Sequence, residues 1–315
     1  MRIRTLFAAL VVTLGLTACG TELDEAELNA GLQGELGGDE LAVSEDALGP
    51  NSAAPQYKSV QLYTGVKMNY RVQGNPNGMP VIFIPGYSDS IQTWSLNWQT
   101  LPAKWRVYMI DQRGHGDSSK PPSWYAQSNF GADLVAFMDA MGLQKVALVG
   151  HSMGSFVAHK VAATYPNRVS HLVLIGSATT AVGHVPGIEL RDFMYSLTEV
   201  DPDFVEYFQR STFYKPVPES YIQGMIAASM KVPLHVWQQA MAGLVAEDHT
   251  ANLKYIKAKT LILFGDQDSL FNLQHQYDLK AAIPGSVLKV YPGVGHGLHA
   301  EIPQQFKKDL LNFLK

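Results

Sequence analysis

The order of the apolar segments predicts an α/β fold with a mostly parallel, eight-stranded sheet. Short β-branched runs alternate with segments of helical periodicity, which is typical of parallel strands covered by helices on both faces. Turn residues, many of them glycine, follow these runs, and 315 residues are enough for one large domain with an insertion. The predicted strands span residues 61–63, 67–72, 81–84, 106–110, 145–149, 169–175, 261–264 and 287–291.

The flanking residues account for each element in turn. The first two strands are predicted to form a hairpin across Thr64-Gly65, and the third strand ends at Pro85-Gly86. Helical periodicity starts at 127 and ends at 141, before Gly142. Further helices are predicted at 155–162, 272–282 and 304–314.

The alternation breaks between Gly176 and Lys259. This stretch is rich in Met, Tyr and Phe and shows no strand pattern, but it has helical spacing near 189–197, 202–210, 219–230 and 233–245. We interpret residues 177–258 as a helical cap inserted after the sixth strand of a domain that spans 56–315. Its flexible Met and aromatic side chains favour a substrate with an apolar acyl or aryl group.

Residues 150–154, Gly-His-Ser-Met-Gly, have the pattern G-x-S-x-G between the fifth predicted strand and a predicted helix. Strand, tight turn and helix is the context in which this motif exposes a nucleophilic serine. The alternative is a glycine-rich turn whose serine caps the helix. The context favours the nucleophile, because the free N–H groups at a helix start hold negative charge beside Ser152.

A serine nucleophile needs a base and an orienting carboxylate, and two later turns supply them in the order that this arrangement uses. Residues 265–268 (Gly-Asp-Gln-Asp) follow the seventh strand, and residues 295–297 (Gly-His-Gly) follow the eighth. Both turns lie at carboxyl ends of strands, where open α/β sheets bind ligands. The candidate acids are Asp266 and Asp268, and the candidate bases are His296 and His299.

From about residue 60 onward the chain resembles the α/β-hydrolase superfamily, in its cap-bearing bacterial branch of esterases and lactonases. The resemblance rests on the three turns above and on residues 111–118, which match the stretch D-x-R-G-x-G-x-S. It implies the α/β-hydrolase fold, Ser152 as nucleophile and His296 as general base and acid. It also implies that Asp268, three residues after the glycine, orients His296, and that residues 111–118 brace the sheet. Asp266 is then a turn carboxylate.

The same resemblance implies an oxyanion hole formed by the backbone N–H groups of Met153 and Tyr87. The family usually has His-Gly after the third strand, whereas this chain has Pro85-Gly86. The Tyr87 N–H is unaffected because it belongs to the backbone, but the loop lacks the hydrogen bonds of an imidazole. The Tyr87 phenol is either a substrate contact or a wall of the pocket.

These residues predict a serine hydrolase that cleaves a small carboxylic ester or lactone through an acyl-enzyme, with no cofactor and no metal. In the superfamily that this chain resembles, haloalkane dehalogenase and epoxide hydrolase activities go with an Asp nucleophile. The serine in the 150–154 turn therefore argues against both activities. Carbon–carbon bond or amide hydrolysis on the same triad is an alternative, as is a ligand sensor with slow or no turnover. The cap histidines show no metal-ligand spacing.

Residues 1–18 predict a lipoprotein signal peptide. Arg2 and Arg4 precede an apolar stretch that is too short to span a membrane, and residues 16–19, Leu-Thr-Ala-Cys, resemble a bacterial lipobox. The resemblance implies cleavage before Cys19, the only cysteine, which then carries a diacylglycerol and an acyl group such as palmitate. An ordinary secretory signal with a chance cysteine is the alternative. The residue after Cys19 is Gly20, whereas an Asp at this position would resemble an inner-membrane retention signal. The sequence therefore predicts an outer-membrane protein and leaves open which face of that membrane carries it.

Residues 19–55 predict an acidic, disordered tether. Between 21 and 55 the chain has nine acidic residues, no Lys or Arg and no aromatic residue. The formal net charge of the whole chain is −4, so no nucleic acid partner is expected. The expected partners are a small ester or lactone and, through Cys19, a membrane.

Overall fold

The computed structural model describes residues 53–315. Its strands are β1 (Ala53–Gln61), β2 (Lys67–Gly74), β3 (Met79–Ile84), β4 (Trp105–Ile110), β5 (Val146–His151), β6 (Val169–Ile175), β7 (Lys259–Gly265) and β8 (Val287–Tyr291). They form one sheet in the order β1-β2-β4-β3-β5-β6-β7-β8. β2 is antiparallel to β1 and to β4, and the other neighbouring pairs are parallel. The predicted α/β fold with a mostly parallel, eight-stranded sheet is confirmed.

Helices cover the sheet, as the buried central strands require. The residues of β5 are all buried, whereas β8, at the edge, is largely exposed. The helices are α1 (Gln127–Ala140), α2 (Met153–Thr164), α3 (Val185–Ser196), α4 (Pro202–Ser211), α5 (Glu219–Ser229), α6 (Leu234–Leu244), α7 (Leu273–Ala282), α8 (Leu298–Glu301) and α9 (Pro303–Phe313). Within residues 53–315 no helix has the length and apolar character needed to cross a membrane.

The first strand differs from the prediction. It spans Ala53–Gln61 rather than 61–63, so it begins inside the stretch predicted to be a tether. The side chains of this edge strand are mostly exposed and polar, and such a strand lacks the apolar alternation on which the prediction depended. Its turn is where Thr64-Gly65 predicts it, with Gly65 in the left-handed region at a φ of +87°.

Four helices, α3 to α6, lie between β6 and β7, where the cap was predicted. The largest difference is at the start of α3, which begins at Val185 rather than at 189. His184 caps this helix, because its Nδ1 accepts a hydrogen bond from the Gly187 N–H at 3.2 Å. Pro186 in the first turn also favours a helix start at this point.

The two glycines of the 150–154 turn permit α2 to lie directly against the sheet. A Cβ on Gly154 would collide with the carbonyl oxygens of Ile84 and Pro85, at the end of β3. A Cβ on Gly150 would lie 2.7 Å from the Cα of Ser155. These obstacles are backbone atoms, so the turn and helix would have to move to admit any side chain.

We therefore expect Gly154→Ala to lower the free energy of unfolding by about 2 kcal/mol, the usual cost of forcing a methyl group into a packed core. Gly131→Ala is the matched control. Its Cβ would meet Val161 at an ordinary 3.4 Å within helix α1, and alanine favours a helix. Urea unfolding of both variants measures the difference, and equal stability of the two would contradict this account of the turn.

Candidate active site

Ser152 lies at the end of β5 in a backbone conformation that is rare for any residue except glycine. Its φ is +50° and its ψ is −125°, which costs on the order of 1–3 kcal/mol and persists only where the surroundings enforce it. Two bonds do so: the Ser152 N–H donates to Ile175 O (2.9 Å), and Ser155 Oγ donates to Ser152 O (2.6 Å). The strain turns the serine side chain out of both strand and helix.

His296 and Asp268 form a buried, hydrogen-bonded pair beside this turn. His296 Nδ1 lies 2.7 Å from Asp268 Oδ2, and their side chains are 2% and 0% exposed. The other carboxylate oxygen of Asp268 accepts the N–H groups of Leu270 (2.8 Å) and Phe271 (3.0 Å). Asp268 is thereby fixed, and it holds the imidazole in one orientation.

Gly176, just after β6, provides the room for this pair. A Cβ there would lie 2.7 Å from His296 Nδ1 and 3.4 Å from Asp268 Oδ2. Its φ of +55° also favours glycine. The sequence gives only a weak signal for this position, a glycine directly after an apolar strand.

The pKa of His296 results from opposing effects. Burial alone lowers it, but the carboxylates of Asp268, Asp89 and Glu301 outweigh burial, so the pKa is raised above the ordinary histidine value of 6.5. Carboxylates that favour the imidazolium are what a general base needs, because the base becomes charged when it takes a proton.

Neither of the two rival residues from the sequence takes part in the Asp268–His296 pair. Asp266 is exposed, and its Oδ1 accepts the Gly293 N–H at 2.7 Å, as a turn carboxylate does. His299 lines the cavity, and its ring packs 4.8 Å from the Trp94 ring and 4.5 Å from the His151 ring. Burial lowers the pKa of His299 to about 3. A neutral ring without a carboxylate partner lacks the support that Asp268 gives to His296.

The two predicted oxyanion donors border the same turn. Met153 is the first residue of α2, so its N–H has no partner within the helix. Tyr87 lies three residues after the end of β3, whose last carbonyl packs against Gly154. The Pro85 that replaces a histidine is held through its carbonyl, which accepts Gln112 Nε2 at 2.9 Å. This bond from Gln112 holds the backbone of the loop in place.

The Tyr87 phenol joins the wall of the cap. Its hydroxyl donates to Trp237 O at 2.5 Å, and its ring packs edge-on against Trp237 and Phe208 at 5.1 and 5.9 Å. The hydroxyl is therefore engaged by helix α6, and the ring is what faces the pocket.

Residues 111–118 make bracing contacts, as expected. Asp111 Oδ1 accepts the Ile91 N–H at 2.7 Å, and its Oδ2 accepts Asn69 Nδ2 at 2.8 Å. Arg113 forms a buried two-point ion pair with Asp133 at 2.6 and 2.7 Å. These side chains tie together β2, β4 and α1.

One small cavity is lined by Ser152, His296 and the Tyr87 loop, with a volume of about 30 Å³. Cap residues such as Phe208 and Met225 close it. Within residues 53–315 no hydrogen bond joins Ser152 Oγ to His296. Catalytic hydrogen bonds often form only in the substrate complex. The assignment of Ser152 and His296 to one site therefore depends on the cavity that both residues line.

A second carboxylate that the sequence reasoning missed also lines this cavity. Asp89 is 6% exposed, and its Oδ1 accepts Gln209 Nε2 at 3.0 Å. The position of Asp89, two residues after an oxyanion donor, is a signal that could have been used. Gln209 had a signal too, since it lies four residues after the buried Val205 on the apolar face of α4.

Comparison with known proteins agrees with this fold. The family model described as alpha/beta hydrolase fold matches residues 79–217. A bifunctional esterase/perhydrolase from Acinetobacter calcoaceticus is 30% identical over 282 residues, which cover 80% of this chain and 97% of that protein. The chain belongs to the alpha/beta hydrolase family.

Other proteins similar to this alpha/beta hydrolase are named for different reactions. A non-heme chloroperoxidase from Streptomyces lividans is 28% identical over 80% of this chain and 97% of its own length. An esterase from Exiguobacterium antarcticum has the same fold, with a TM-score of 0.75 and 24% identity over 82% of this chain and 99% of that one. The family is therefore established, and the reaction is a separate question that the site must answer.

Proposed function

We propose that this alpha/beta hydrolase is a serine esterase that cleaves small carboxylic esters or lactones. The observation that carries the proposal is the buried Asp268–His296 pair, whose His296 lines one cavity together with a serine held at a φ of +50°. A base oriented by a carboxylate and placed beside a serine hydroxyl is the arrangement that activates the serine. The name of one relative, the bifunctional esterase/perhydrolase from Acinetobacter calcoaceticus, supports the same reaction.

The proposed reaction has two halves. His296 removes the hydroxyl proton as Ser152 attacks the acyl carbon, and the N–H groups of Met153 and Tyr87 stabilise the oxyanion. His296 then protonates the leaving alcohol, which departs from the acyl-enzyme. Water, activated by the same imidazole, releases the acid and restores the serine. All the required groups belong to the chain itself.

The cavity favours a short acyl group. Its volume of about 30 Å³ accommodates only one or two water molecules. Apolar side chains contribute to its wall, among them Phe208 and Phe213 from the cap and Leu270 from the segment after β7. We expect acetyl and propionyl esters to be hydrolysed faster than esters of long acids.

The decisive experiment is a panel of esters and lactones of increasing acyl length, run on the wild type and Ser152→Ala. An amide and a 1,3-diketone of matched size belong in the panel, because they test the two rival bond types. Turnover of short esters that depends on Ser152 supports the proposal. Faster turnover of the amide or of the diketone would favour amide or carbon–carbon bond hydrolysis over the esterase proposal. Binding without turnover would favour a ligand sensor.

The raised pKa of His296 predicts the pH dependence. The imidazole must be neutral to accept the serine proton, so kcat/KM falls once the pH drops below its pKa. Because that pKa is raised, we expect the acid limb to have its midpoint above pH 6.5. Initial rates on a neutral ester across the pH range measure it. A midpoint below 6.5 would contradict the electrostatic account.

We also propose that the protein is a cell-envelope lipoprotein acylated at Cys19. This residue and the rest of the signal lie outside the described residues, and the proposal rests on the basic start, the apolar stretch and the lipobox pattern of the sequence. Cys19→Ser is expected to move the protein from the membrane fraction to the soluble fraction and to abolish incorporation of labelled palmitate. Membrane retention of the unlabelled variant would refute the anchor.

A further inference from the structure

We propose that Asp89 binds an ammonium group on the substrate, so that the preferred esters are those of short amino acids. The inference rests on the proposed esterase function, and it concerns the acyl part of the substrate. It is carried by the placement of Asp89 beside the nucleophile, by the neutral partners of its carboxylate and by the aromatic wall opposite.

The Asp89 carboxylate lies close to the reacting serine. Asp89, Ser152 and His296 line one cavity. A Cβ built on Gly86 would lie 2.9 Å from Asp89 Oδ2 and 3.2 Å from both Ser152 Cβ and His151 Nδ1, so Asp89 and Ser152 border the same point. A substituent one or two carbon atoms from the acyl carbonyl would therefore reach the carboxylate while the carbonyl is at Ser152.

The partners of this carboxylate carry no positive charge. Gln209 Nε2 donates to Asp89 Oδ1 and is also 2.8 Å from Ser229 Oγ. In the described part of the chain, the only ion-pair neighbour of Asp89 is His151, whose Nδ1 lies 3.8 Å from Oδ2. Burial lowers the pKa of His151 well below the ordinary value, so this ring is neutral. While His296 is neutral, Asp89 is thus oriented but has no positively charged partner among the described residues.

A buried carboxylate without a cation is costly, and such groups are ordinarily paired. Burial raises the pKa of Asp89 to about 6, so most of the carboxylate is still ionised at neutral pH. An ammonium on the substrate would supply the missing charge. Tyr87, Phe208 and Tyr221 line the same cavity, and aromatic rings attract cations through their faces.

Asp89 also raises the pKa of His296, and this effect must be separated from binding. Support of the imidazolium acts on every substrate to the same degree. Binding of an ammonium acts only on substrates that carry one. The test therefore compares a pair of substrates and not a single rate.

Glycine methyl ester and methyl propionate form that pair, because an ammonium replaces a methyl group of similar size. The kcat/KM of each is divided by its uncatalysed hydrolysis rate at the same neutral pH, at which the glycine ester still carries its ammonium, and this removes the difference in intrinsic reactivity. We expect the wild type to prefer the glycine ester at neutral pH. Asp89→Asn is expected to lower this preference at least about tenfold, as loss of one partner of a buried charge pair does. The control Asp192→Asn removes an exposed cap carboxylate and should not alter the preference.

Equal losses on both esters in Asp89→Asn would overturn the inference, since they indicate a general effect on His296. Equal preference for methyl glycolate would overturn it as well, because a hydroxyl then suffices. A wild type that cleaves methyl propionate without favouring the glycine ester refutes this inference alone. Failure of the wild type on every ester refutes the esterase function itself.

Inhibition gives a second test of the ammonium site, and it uses the wild type alone, so it does not depend on whether Asp89→Asn folds. Glycinamide and propionamide differ by the same replacement of methyl by ammonium. We expect glycinamide to inhibit hydrolysis of methyl propionate with an inhibition constant at least about tenfold lower. Equal inhibition by the two amides would contradict an ammonium site at Asp89.

Discussion

Replacement of Ser152 with alanine is expected to reduce ester hydrolysis by at least about ten-thousand-fold, because no acyl-enzyme can form without the hydroxyl. The residual rate would come from the oxyanion donors and from substrate binding. The variant should fold, since the two hydrogen bonds that hold this turn, from Ser152 N–H to Ile175 O and from Ser155 Oγ to Ser152 O, do not involve the side chain of Ser152. Steady-state rates on a short p-nitrophenyl ester measure the loss.

Ser196→Ala is the matched control for this substitution. Ser196 is exposed at the end of α3, and its hydroxyl donates only to Phe193 O. Its replacement should leave the rate within about twofold, as is usual for surface positions. Activity in Ser152→Ala close to that of the control would show that the nucleophile lies elsewhere.

Asp268→Asn is expected to lower kcat by about ten-thousand-fold, through the imidazole rather than through the fold. The Asn amide is nearly the same size as the carboxylate, but it supplies no negative charge for the imidazolium and permits the wrong tautomer of His296. Its carbonyl can still accept the N–H groups of Leu270 and Phe271, which Asp268 Oδ1 accepts now. We therefore expect kcat to fall far more than the melting temperature.

Asp266→Asn separates the two candidate acids. Its carboxylate is exposed and bonds to the Gly293 N–H, which an Asn oxygen also accepts. We expect an activity loss of less than about fivefold, within the range of a surface change. A larger loss in Asp266→Asn than in Asp268→Asn would reverse the assignment of the acid.

The sheet and the placement of the candidate triad could be predicted because their signals are local. The buried strands β3, β5, β6 and β7 have apolar, β-branched sequences, and each of the turns that follow them contains glycine. The chain order serine, acid, histidine then fixes which turns meet at the carboxyl edge of the sheet. The 2.7 Å contact between Asp268 and His296 is where that order places it.

The remaining features depend on contacts between distant segments, which periodicity does not report. Asp89 on the loop after β3 meets Gln209 of the cap across 120 positions of sequence. Gln112, after β4, donates to Pro85 O, which lies 27 positions earlier in the sequence. The edge strand β1 has no apolar stripe, because much of its surface faces solvent, and its start was therefore predicted too late.

The central claim is that Ser152 is a nucleophile activated by His296. Covalent labelling with a fluorophosphonate tests it most directly, because the probe reacts with an activated serine and its site can be located by mass spectrometry. We predict one adduct, on Ser152, in the folded wild type, and none in Ser152→Ala. Its formation should slow when the pH falls below the raised pKa of His296. A folded wild type that does not react, or an adduct that persists in Ser152→Ala, would contradict the account.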